Sequence, residues 1–107
     1  MAKIKTYVIK DAKDGAKLQA GITKVLKTLG LDKYLKVKAP SKGWVEANAP
    51  DGKVDCILES KIDAKKKTGP LQVTAKAGGQ TSVLGIWAVK AEQFDAIQAS
   101  LKACGLI

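Results

Sequence analysis

A chain of 107 residues, 46% hydrophobic and 27% charged, has the size and composition of one globular domain, which argues against disorder. The net charge is +9, and all 19 basic residues are lysines, with no arginine and no histidine. The missing histidine excludes imidazole general-base chemistry, Ser-His-Asp and Cys-His nucleophiles and His-ligated metals. The missing arginine removes the planar fork that reads guanine edges, leaving lysine as a point charge for phosphates.

The first predicted element is a strand over Lys3–Lys10, rich in β-branched and aromatic residues. Ile4, Thr6 and Val8 share one face, and Tyr7 and Ile9 the other. Both faces being partly apolar, an interior place in a sheet is expected. From Asp14 to Leu29 the period changes: Leu18, Ile22, Val25, Leu26 and Leu29 recur at helical spacing. Asp11 or Asp14 supplies an N-cap and Gly30 the stop, while Gly15 and Gly21 each cost the helix about 1 kcal/mol relative to alanine.

Leu31–Lys42 reads as a short strand or irregular segment, closed by a turn at Pro40–Gly43. Trp44–Ala47 and Val54–Glu59 then flank Ala49-Pro50-Asp51-Gly52, which predicts two strands joined by a hairpin turn. A basic loop, Lys61–Pro70, precedes Leu71–Lys76, whose strict alternation marks a half-buried strand. Gly78-Gly79 turns the chain into Ser82–Val89, apolar on both faces and therefore expected in the sheet centre. Ala91–Cys104 returns to helical period, with Phe94, Ile97, Leu101 and Cys104 on one side and Gly105 as the stop. Residues 1–107 are thus expected to form a single basic α+β domain. Its antiparallel-rich sheet of about four to six strands carries two helices, in the order β-α-β-β-β-β-α.

Catalytic signals are absent. No Gly-rich phosphate motif occurs, and Cys56 and Cys104 lack the paired spacing of a zinc site. Asp55 and Glu59 share a strand face opposite Cys56 and Leu58, which the alternation reads as a solvated face. Two cysteines are too few for a disulfide scaffold, and the charged start of the chain lacks the apolar core of a secretory leader. No run reaches the roughly 20 apolar residues of a membrane span. Cys104-Gly105-Leu106-Ile107 has the outline of a prenylation box, but Cys104 continues the apolar helix face and reads as core. The expectation is a cytoplasmic protein with reduced thiols, no catalytic residues, no metal and no cofactor.

The positive signal is charge. At 100° per residue, Lys13, Lys17, Lys24 and Lys27 fall within about 80° of one another, opposite the apolar stripe of the first helix. No acidic residue lies between Asp14 and Asp32 to balance them, although surface faces ordinarily mix both signs. Lys65, Lys66 and Lys67 form a second cluster in a loop, and Lys33, Lys36, Lys38 and Lys42 extend the positive surface. Trp44, at the start of a predicted strand, is the candidate exposed ring for stacking on an unpaired base, whereas Trp87 reads as core. These residues predict sequence-nonspecific nucleic-acid binding through lysine–phosphate contacts, with single-stranded DNA or RNA slightly favoured. The alternative is a non-enzymatic interaction module or inhibitor docking on an acidic protein partner, anchored by a strand edge or Trp44. Pairing into a homodimer is compatible with either, and no membrane contact is expected.

Overall fold

Four strands form in the computed structural model, which describes residues 2–107, and burial alternates with period two along the middle two of them. They are β1 (Lys3–Ile9), β2 (Val54–Ser60), β3 (Gly69–Ala77) and β4 (Gln80–Val89). They form one antiparallel sheet in spatial order β1-β2-β3-β4. Helices α1 (Gly15–Leu29) and α3 (Ala91–Ala103) lie on one face, and a single helical turn, α2 (Trp44–Asn48), completes a single α+β domain.

The helix ends are set by local chemistry. The Asp14 carboxylate accepts the Lys17 backbone N–H at 2.8 Å and starts α1. Gly30 ends it in the left-handed region, φ 75°, so that Leu31 N–H reaches back to Leu26 O at 2.9 Å. Leu18, Ile22 and Leu26 on this helix are buried, as are Phe94, Ile97 and Leu101 on α3. They close over Val54, Cys56 and Leu58 of β2, and Leu71, Val73 and Ala75 of β3. A Cβ on Gly21 would lie 2.8 Å from Ile9 Cγ2, so the glycine that weakens α1 also lets the helix sit close on β1.

Three expectations change. Trp44–Ala47 is helical: Gly43, at φ 82°, reverses the chain, and Ala47 N–H and Ala49 N–H bond to the carbonyls of Gly43 and Val45. Four residues are too short a run to tell alternation from one helical turn. The Ala49–Gly52 turn does form, with Gly52 N–H on Ala49 O at 2.9 Å, but it joins α2 to β2. Second, β1 and β4 are the sheet edges, not its interior. Their second apolar faces look outward on the side away from the helices: Ile4 is 61% exposed and Ile86 64%. Third, Lys13 precedes the α1 cap and is not on the helix.

Residues 31–43 carry the chain back across the helix side of the sheet. Lys38 N–H bonds to Leu84 O at 2.9 Å on the β4 edge, beside a bulge that shifts the β3–β4 register at Val73/Thr74. Opposite Val73 stands Gly85, where a Cβ would lie 2.6 Å from the Lys36 carbonyl oxygen. Because that obstacle is backbone, Gly85→Ala must push the crossing segment off the sheet. A loss of about 1–3 kcal/mol is expected, read in thermal melting as a fall in Tm of at least about 4 °C.

Candidate nucleic-acid interface

The two faces of the sheet carry opposite chemistry. Lys3 and Lys5 alternate with Ile4 along β1 and so project to the helix side. Lys17, Lys24 and Lys27 are exposed on α1, and no acidic residue occupies that helix. On the open face the strand charges are Asp55 and Glu59 of β2 and Lys76 of β3, in alternation with the buried Cys56, Leu58 and Ala75. Within the strands, the open face is therefore the one that carries carboxylates.

The lysine clusters do not converge on one point. Lys13 lines a groove with Lys10, Glu46 and the 49–52 turn, just before β2 begins. Lys65, Lys66 and Lys67 follow the end of β2, so the length of that strand, about 23 Å for seven residues, separates them from Lys13. The α1 lysines occupy part of the interval, since Lys17 to Lys27 covers about 15 Å of helix. The result is a discontinuous positive band along the helix layer.

The Lys65–Lys67 segment is more ordered than a flexible loop. Asp63 accepts the backbone N–H groups of Lys65 and Lys66 at 2.9 and 3.3 Å, and Asp63 and Thr68 form an antiparallel bridge. Lys67, at φ 60°, reaches Asp95 of α3 with Nζ–Oδ1 3.2 Å. Among the described residues this is the one ion pair, and both partners are well exposed, so it contributes little. Lys65 and Lys66 keep their charges free for another partner.

The tryptophans are not presented as a platform. Trp87 stacks on Tyr34, ring centroids 5.1 Å apart and 12° from parallel, on the helix side of the β4 edge. Trp44 opens α2, half-buried against the core, rather than beginning a strand. Tyr7 and Trp87 both project to the helix side but from β1 and β4, the opposite edges of the sheet, and among the described residues no aromatic ring stands on the open face. Sequence reasoning missed that open face, with Val8 and Val83 each 56% exposed beside Ile4 and Ile86. The signal was present in the two-sided apolarity of Lys3–Lys10 and Ser82–Val89.

Both cysteines are free and buried. Burial pushes the Cys56 thiol up to about 11, and burial also raises Cys104, whose Sγ donates to Leu101 O at 3.5 Å. Tyr7 is raised as well, first by burial and then by the neighbouring Cys104 and Cys56. Among the described residues no helix is long and apolar enough to cross a membrane.

Compared with known protein families, curated proteins and solved structures, the chain matches none.

The thiol shift has a stability consequence. Cys56 ionises near its ordinary value when unfolded but only near 11 when folded, so above pH 9 the unfolded chain holds fewer protons and folding weakens. Stability is expected to fall between about pH 9 and 11, and Cys56→Ala to flatten that fall, as read by urea unfolding across the range. An equally steep fall in the variant would assign the pH dependence to other groups.

Proposed function

We propose that the protein is a non-enzymatic, sequence-nonspecific nucleic-acid binder that holds the phosphate backbone with the lysines of its helical side. The supporting observation is that, of 19 lysines, only Lys67 is ion-paired among the described residues. Unpaired surface cations that lack the usual interspersed acids favour a polyanionic partner. Lys17, Lys24 and Lys27 on α1, with Lys65 and Lys66 at one end and Lys13 at the other, form the proposed contact band. Lysine without arginine suits backbone binding rather than base reading.

The engaged tryptophans lessen the preference for unpaired bases. Trp87 is already stacked on Tyr34 and Trp44 is half-buried, so affinity rests on phosphates and is similar for single strands and duplex of equal charge. Two buried, reduced cysteines suit a reducing compartment, and the cytoplasm is the proposed location.

Titrating labelled single-stranded and duplex oligonucleotides at several salt concentrations, with anisotropy as readout, tests this reading. Log affinity is expected to fall linearly with log salt, by about 0.9 per duplex phosphate contacted and about 0.7 per single-strand phosphate. The double variant Lys24→Gln/Lys27→Gln should reduce that slope by about two contacts without altering sequence preference. Absence of binding at low salt, or a slope indifferent to these lysines, would overturn the proposal.

A further inference from the structure

The open face has a self-complementary layout that the nucleic-acid reading neither needs nor explains. The strand registers align its residues in three rows running from β1 to β4. The first is Val8, Asp55, Lys76, Thr81; the second is Thr6, Ile57, Thr74, Val83; the third is Ile4, Glu59, Gln72, Ile86. Apolar side chains occupy both edges, with Ile4 and Val8 on β1 and Val83 and Ile86 on β4, all more than half exposed. The charged groups Asp55, Glu59 and Lys76 occupy the middle, with Gln72, Thr74 and Ile57, while Thr6 and Thr81 stand among the edge residues.

We infer that two copies of this chain pack these faces together, about a two-fold axis that runs along the strands between β2 and β3. Such an axis keeps each row in register and reverses its order. It lays β1 of one copy on β4 of the other, so Ile4 meets Ile86 of the second copy and Thr6 meets Val83. In the first row Asp55 meets Lys76 of the second copy, and Lys76 meets its Asp55. Each contact occurs twice, as a two-fold requires. Glu59 meets Gln72, and no like charges are opposed.

The other face-to-face two-fold runs across the strands and lays β1 on β1. It exchanges the first row with the third and sets Asp55 against Glu59 of the second copy, which like-charge repulsion disfavours. Charge thus selects the first arrangement. Within one copy Asp55 and Lys76 are cross-strand neighbours, yet among the described residues the one ion pair is Lys67–Asp95, elsewhere. Both remain free for the second copy, and four alternating charges close the quartet.

The size of the face is consistent with a reversible dimer. Four strands spaced about 4.8 Å apart and about 23 Å long give a plane on the order of 400 Å² per copy. Side-chain relief raises the accessible area buried above that, toward the roughly 1,000 Å² total of a small specific interface. Sheets packed this way align at about −30°, making an eight-stranded sandwich with both helix layers outward. The dimer stands independently of the nucleic-acid proposal, because its face is opposite the lysine band.

Sedimentation velocity over protein concentrations from about 5 to 500 µM tests it. The mass is expected to rise from 11.3 kDa toward twice that value. Asp55→Lys and Lys76→Asp should each weaken association about tenfold or more, and the double swap Asp55→Lys/Lys76→Asp should restore it, with thermal melts verifying that each variant folds. A monomeric mass throughout overturns the proposal. So does a double swap that fails to restore association, or an Asp55→Lys variant that associates more tightly, the signature of Asp55 facing Glu59.

Discussion

The side chains of Val54, Cys56 and Leu58 on β2 and of Leu71, Val73 and Ala75 on β3 are wholly buried against the helix layer. Strand side chains alternate, so this burial dictates where every other strand residue points. A slip of one residue would bring Asp55, Glu59 and Lys76 into the core, at a cost far beyond the few kcal/mol by which a small domain is stable. The register is therefore pinned, and with it the division of chemistry between the two sides. Lysines dominate the helix layer, and a mixed apolar and acidic surface faces away.

Much of this division was legible in the sequence. The α1 stripe, its Asp14 cap and its Gly30 stop required only helical periodicity and capping chemistry, and the structure follows them. The same holds for the strict alternation of Leu71–Lys76 and for the apolar face of α3. Two-sided apolar strands were harder. Val83 and Ile86 look the same in sequence whether covered by a second layer or left for a partner, so β4 read as central when it is an edge. Trp44–Asn48 was illegible for another reason. One helical turn buries a single side chain, Val45, and leaves no period to detect.

The candidate site was legible as composition and less so as geometry. Lys17, Lys24 and Lys27 share α1 as the helical period requires, but Lys13 falls before the cap and Lys65–Lys67 lie about one strand length away from it. Tertiary placement, which spacing along the chain does not encode, spreads the positive charge into a band. A band suits a partner that is itself extended and repetitive, as a phosphate backbone is. The carboxylates Asp55 and Glu59 on the opposite face make that surface less favourable to phosphates.

In the proposed binding mode, phosphates meet the helix side and leave the open face alone. Backbone amide shifts recorded by NMR during addition of a short oligonucleotide would decide it. Perturbations are expected along α1 and residues 61–68, with Thr6, Ile57, Thr74 and Val83 unmoved. Perturbations centred on those four open-face residues, with α1 silent, would contradict it.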